Sequence, residues 1–269
     1  VASVVTIGTA TVDKVNRVLF LVKIVAMAMV LTFLAPNVTE SYLLSMPVEQ
    51  GLVIAAIPVI FTSFGFHGSI PAIVNYLDGH TPSLRKAILV GSAIPLIIYV
   101  FWQVVTLGVV NQSTLLENQG LSALISTLAT TVHASNLGQT IGIFADLALL
   151  TSFLGVSLGL FEFLGDTLKK QGKGNSRALV GMITFLPPMG FALFYPQGFI
   201  MALGYAAIAL VILAIFLPIL MVKKARAQSD SEHYQVLGGN LGLAVGSTVG
   251  VLIIGAQILI TAGFLPALG

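Results

Sequence analysis

Apolar runs long enough to cross the ~30 Å hydrocarbon layer of a bilayer recur along the whole of this 269-residue chain. Inside a bilayer the backbone has no water to bond, so such runs can only be helices or strands of a closed barrel. Barrel strands would alternate apolar and polar residues; these runs are continuously apolar, which excludes a barrel. Charged residues supply 8% of the chain and hydrophobic ones 57%, too little charge to clothe a soluble domain. The fold class is therefore an all-α polytopic membrane protein, with residues 1–269 forming a single transmembrane domain.

Spans are expected at about 18–35, 51–76, 86–110, 138–164, 177–195, 198–221 and 238–266. Residues 1–10 read as the tail of a further span, with "TVDKVN" as the polar turn after it. Residue 1 is a valine in an apolar stretch, without a Met or a charged segment, so the true N-terminus is expected to lie outside this sequence. Segment 119–132, "GLSALISTLATTVH", is too short to span and reads as a helical outer loop.

Charge placement orients the spans. Of the 12 Lys and Arg, 11 fall in alternate connections: Lys14 and Arg17; Arg85 and Lys86; Lys169, Lys170, Lys173 and Arg177; Lys223, Lys224 and Arg226. The connections at 36–50, 111–137 and 195–198 carry none. By the positive-inside rule the first set is cytoplasmic, and the carboxyl end emerges on the far side of the membrane.

Several chemistries are excluded. The chain has no cysteine, which removes disulfides, thiol catalysis and cysteine metal sites. No HExxH or paired-histidine spacing points to a metal, and no phosphate loop points to a nucleotide, so neither a cofactor nor ATP-driven pumping is expected.

Three features break the apolar pattern. The first is "FTSFGFHGSIPAIVNY", residues 61–76, where Gly65, Gly68 and Pro71 interrupt a span near its midpoint at Phe64. Backbone freed at that depth is tolerated only where protein buries it or where it lines a cavity. With Thr62, Ser63, Phe66, His67 and Ser69 beside it, the stretch is a candidate ligand-binding break. The alternative is a seam of small residues that lets helices approach closely. His67 fits a ligand or proton-handling role as well as a structural hydrogen bond.

The second is Lys23, the twelfth cation, within the span 18–35. A lysine at this depth must be paired, hydrated or neutral. It is either a proton-sensitive switch or a side chain snorkelling to the headgroups. The third is the span 138–164, with Thr151 and Ser152 at its midpoint and Asp146 about 140° around the helix from Thr151. Paired hydroxyls there can hold a cation or a lysine ammonium. Asp146 reads either as a functional intramembrane carboxylate or as an interhelical hydrogen-bond acceptor. Glu162 and Asp166 lie beside Lys169 and Lys170 and read as a solvated cluster. Pro187 and Pro188 are expected to kink or interrupt their span. Tyr99, Trp102 and Tyr195, near span ends, fit interfacial belts.

The stretches "AIPVIFTSFGFHGSIPAIVNYLDG", "GSAIPLIIYVFWQVVTLG", "FADLALLTSFLGVSLGLFEFLGD" and "ITFLPPMGFALFYPQGFIMALGYA" resemble the bacterial hydroxy/aromatic amino acid permeases, and the likeness extends over essentially the whole chain. The resemblance implies the five-plus-five inverted-repeat amino acid transporter fold of the amino acid–polyamine–organocation superfamily. This chain would hold the end of helix four through helix eleven, the span 51–76 being the sixth. It further implies proton-coupled import of L-tyrosine or another aromatic amino acid across the inner membrane by alternating access. Thr62, Ser63, Phe64, Gly65, Phe66, His67, Gly68 and Ser69 would then line the substrate pocket, with Phe64 or Phe66 stacking on an aromatic ring. Lys23, Thr151 and Ser152, with Asp146 as a further carboxylate, would carry proton coupling, Lys23 standing where sodium-coupled relatives bind their ion. Tryptophan or serine/threonine transport is the nearest alternative. An intramembrane enzyme using Asp146 and His67, a passive channel and a scaffold are the more distant ones.

Overall fold

The computed structural model describes residues 1–45, 50–117, 120–132, 136–170, 176–195, 198–228 and 238–266. The apolar runs form helices, in chain order α1 Ala2–Ile7, α2 Thr9–Leu34, α3 Glu40–Leu43, α4 Gln50–Thr62 and α5 Ile70–Tyr76. They continue as α6 Thr81–Val109, α7 Gln112–Glu117, α8 Leu121–Val132, α9 Leu137–Lys170 and α10 Arg177–Phe194. The last are α11 Phe199–Val211, a π-helical turn Ile212–Phe216, α12 Leu217–Gln228 and α13 Gly239–Thr261. Among the described residues seven helical segments are long and apolar enough to cross a membrane. The chain is a multi-pass, all-helical membrane protein.

It forms two compact units: residues 1–46 with 99–196, and residues 47–98 with 197–269. In the first, α9 packs antiparallel along α2. At one end Val30 and Leu34 meet Leu137 and Ile141, joined by Val105 and Val109 of α6 and Leu128 of α8. At the other end Val12 meets Leu154 and Phe161, with Val5 of α1 and Val180 of α10. Within lipid there is no hydrophobic drive between helices, so such pairs hold by close packing. Gly108 illustrates this: a Cβ there would stand 2.6 Å from Val38, and its carbonyl accepts the Thr39 amide at 2.7 Å.

The second unit is built on α4, α11 and α13, around Ala207, Val211 and Ile253 with Phe61 against them. Here glycines set the interhelical distance. A Cβ at Gly204 would stand 2.5 Å from the Gln257 carboxamide, and one at Gly250 would stand 3.0 Å from Val211 and 3.1 Å from the Phe216 ring.

Three expectations are corrected. "TVDKVN" is no turn: it lies inside α2, and the chain bends at Gly8 instead, where φ is 148°. Helical spacing buries Val12 while Asp13 and Lys14 stay exposed, and Asp13 accepts from Arg17 one turn on at 2.9 Å, so polar residues cost the helix little. Pro187 and Pro188 do not interrupt α10, which runs through both; membrane helices tolerate proline where neighbours re-satisfy the backbone. Trp102 is half-buried, its ring centre 5.6 Å from that of Phe144. The span predicted to end near residue 221 continues helically through Lys223, Lys224 and Arg226 to Gln228.

Candidate functional site

In the second unit the span 51–76 is broken where its sequence loosens. α4 ends at Thr62, and successive i→i+3 bonds from the Ser63, Phe64 and Gly65 amides tighten the chain out of the helix. His67–Ser69 form a single 3-10 turn before α5 restarts with Pro71 in its first turn, where a missing N–H costs nothing. Gly65 is required by approach: a Cβ would lie 3.0 Å from the Thr62 carbonyl and 3.4 Å from Leu210. Gly68 faces open space. Thr62 donates to the Val59 carbonyl at 2.6 Å, closing the last turn of α4. Ser63, Gly65, Phe66, Gly68 and Ser69 are exposed, and Phe64 is half-buried. His67 is half-buried, with its Nδ1 buried and without a hydrogen-bond partner.

In the first unit Lys23 Nζ donates to Thr151 Oγ1 at 3.2 Å, and Thr151 donates in turn to the Ala148 carbonyl at 3.1 Å. Thr151 is buried and Lys23 half-buried, its ammonium also 5.1 Å from the Phe20 ring centre. The contact lies between the two apolar clusters of the α2–α9 pair: Leu19 and Leu154 flank it on one side, Val30 and Ile141 on the other. The span containing Lys23 runs Ala10–Asn37, which puts the lysine at its centre, deeper than the sequence boundaries implied. Snorkelling is not what the side chain does here; it reaches across to α9.

Ser152 and Asp146 do not join this contact. Both are exposed, and neither makes a hydrogen bond or ion pair with a described residue. The carboxylate expected to be buried is on an open face. Gly155 and Gly159, one and two turns beyond Thr151 on α9, likewise have nothing packed on them within 4 Å.

Two polar groups were missed by sequence reasoning. Gln257 is buried in α13 with its Nε2 3.5 Å from Thr261 Oγ1, and Thr106 is buried with its hydroxyl unpartnered. A glutamine inside the apolar run "VLIIGAQILI" was the available signal for the first. Among the described residues no group of His, Asp or Glu could hold a metal.

A span broken at membrane depth, with a lysine held inside another, is the construction that secondary transporters use. The chain belongs to the tryptophan/tyrosine permease family, whose model matches residues 1–257. It is 44% identical to the protein named tyrosine-specific transport system 1 of Haemophilus influenzae, over 98% of this chain and 67% of that protein. It is 40% identical to tyrosine-specific transport system 2 of the same organism, over 98% of this chain and 66% of the relative. A tryptophan-specific transport protein from that organism is 34% identical over 96% of this chain and 64% of its own length. The chain thus spans about two thirds of the length of these relatives. No solved structure matches it.

Proposed function

We propose that this chain serves proton-coupled import of an aromatic amino acid, tyrosine in first place, across the bacterial inner membrane. The substrate class follows the names of the relatives at 44% and 40% identity, both tyrosine-specific. The observation that carries the coupling is the Lys23–Thr151 contact, an ammonium held at mid-span between two dry layers. A charged lysine there is tied to Thr151; a neutral one is a far weaker donor and releases the α2–α9 seam. Gain and loss of one proton thereby changes how tightly two spans are held. The break from Thr62 to Ser69 supplies exposed hydroxyls, two phenylalanines and an unpartnered imidazole nitrogen, the mixture a pocket for a tyrosine ring needs. The cationic ends of the spans face the cytoplasm, and α13 ends on the periplasmic side.

The test is uptake of labelled tyrosine by the full-length protein in right-side-out vesicles, with and without an imposed inward proton gradient. Tryptophan, phenylalanine and serine are the competitors. Accumulation driven by the gradient and blocked by aromatic competitors supports the reading. Equilibration indifferent to the gradient removes proton coupling, and a preference for tryptophan moves the substrate to that of the 34% relative.

A further inference from the structure

The α2–α9 seam holds a second polar side chain, and unlike Lys23 it has no partner. Asn16 of α2 is half-buried, and its Oδ1 is buried without a hydrogen bond. Val12, Val15 and Leu19, its neighbours on the packed face of α2, belong to the apolar cluster that includes Leu154 and Phe161 of α9. A leucine in this place would extend that cluster, whereas a stranded carbonyl oxygen weakens it. Packing therefore does not account for an asparagine here.

Its position relative to Lys23 does. The two residues are seven apart, within ~20° of one another on the helix face and ~10 Å apart along the axis. Helical side chains lean toward the N-terminus, so the Lys23 stem extends toward the Asn16 turn, and its ammonium already lies 5.1 Å from the Phe20 ring centre on that side. The same count along antiparallel α9, starting from Thr151, reaches Leu158 with Ser157 beside it. Ser157 is buried and donates its hydroxyl proton to the Phe153 carbonyl, which leaves its oxygen able to accept. Two buried acceptors thus stand at one level of the seam, with the lysine donor above them. Below them the seam ends in a charged rim, where Asp13 and Arg17 of α2, Glu162 and Asp166 of α9 and Arg177 of α10 are all exposed.

We propose that Asn16, with Ser157 at its level, is the release station for the Lys23 proton: when the Thr151 contact opens, a water held by Asn16 Oδ1 links the lysine to the charged rim. The proposal rests on the coupling reading above and adds an exit to it. The water takes one proton from Nζ, leaving a neutral amine, and passes one proton on to water at the rim. Asn16 gains and loses none; it is a positioning residue whose oxygen fixes the water. The burial that strands this oxygen also shuts the path. With Lys23 on Thr151, Asn16 Oδ1 is closed off from solvent and the proton is retained.

The test uses the full-length protein in proteoliposomes, with Asn16→Leu and Asn16→Asp. Leucine keeps the branch at Cγ and removes the acceptor; aspartate keeps an acceptor. Tyrosine counterflow proceeds with the proton bound throughout, whereas net uptake must release it. Asn16→Leu is expected to lower kcat for gradient-driven net uptake about tenfold, with KM and counterflow within about twofold of the unaltered protein. Its unfolding midpoint should hold or rise, because an apolar side chain replaces a stranded carbonyl. Asn16→Asp should recover most of the net uptake. Undiminished net uptake by Asn16→Leu overturns the proposal. So does a loss shared by counterflow and the unfolding midpoint, which marks a packing residue, or an Asn16→Asp variant no faster than Asn16→Leu. Accumulation retained by Lys23→Met would instead overturn the coupling reading, a result independent of any change at Asn16.

Discussion

The Lys23 ammonium stands 3.2 Å from the Thr151 hydroxyl at the centre of the Ala10–Asn37 span, a polar tie across the long α2–α9 seam. Replacing Lys23 by Met keeps the side-chain length and removes the proton site. Lys23→Met is expected to abolish gradient-driven accumulation while leaving tyrosine counterflow within a few-fold of the unaltered protein. Retained accumulation against a gradient would end the coupling role. Thr151→Val should weaken coupling less, since it removes one hydrogen bond of ~0.5–1.5 kcal/mol and leaves the lysine in place.

The two glycines of the broken span give opposite expectations. A Cβ on Gly65 meets the Thr62 carbonyl at 3.0 Å, whereas Gly68 faces open space. Gly65→Val is expected to lower thermal stability in detergent and uptake together. Gly68→Ala should fold normally, so any loss it causes belongs to substrate binding; equal melting losses for both variants would contradict this geometry.

Close approach in the second unit gives a packing prediction. Gly204→Leu forces the buried Gln257 carboxamide out of its place, and overpacking of this kind costs ~1–3 kcal/mol. A shift in the unfolding midpoint would measure it. Gln257→Ala in the same molecule should recover part of the loss, because it empties the volume the leucine needs.

At the bend before α2, Gly8 has φ of 148°, a conformation that L side chains rarely adopt. Space is not the obstacle, as the nearest atom to a Cβ there is Arg177 Nη2 at 3.9 Å. Gly8→Ala is therefore expected to destabilise by ~1–3 kcal/mol through backbone strain alone. The Arg177 side chain, which donates to the Thr6 carbonyl at 3.0 Å and stacks on Phe161, holds the end of α1 against that bend. Arg177→Ala should release α1 and raise amide exchange over residues 2–7.

Much of this architecture is legible from hydropathy, because a span announces itself by length and lack of charge. The break at Thr62–Ser69 is legible too, since glycines and proline act locally, on the backbone that carries them. What spacing cannot show is direction. Asp146 and Thr151 are five residues apart, yet one faces out and the other faces Lys23, and only the packing partner of each face decides which. "TVDKVN" misleads for a related reason: polar content suggests a turn, but an exposed helical stripe accommodates Asp13 and Lys14 equally well. The π turn at Ile212–Phe216 leaves no trace in an unbroken apolar run; its last residue, Phe216, lies against Gly250.

The central depth of Lys23 also has an electrical meaning. The membrane potential acts on a moving charge in proportion to the fraction of the field it crosses, about 2.3 kcal/mol per 100 mV for a full crossing. A proton reaching Lys23 from outside crosses about half of that drop, a bias of roughly 1 kcal/mol per 100 mV. Under the proposed coupling, loading of this lysine is tied to voltage as well as to proton concentration, so collapsing the potential at constant external acidity would loosen the Lys23–Thr151 contact.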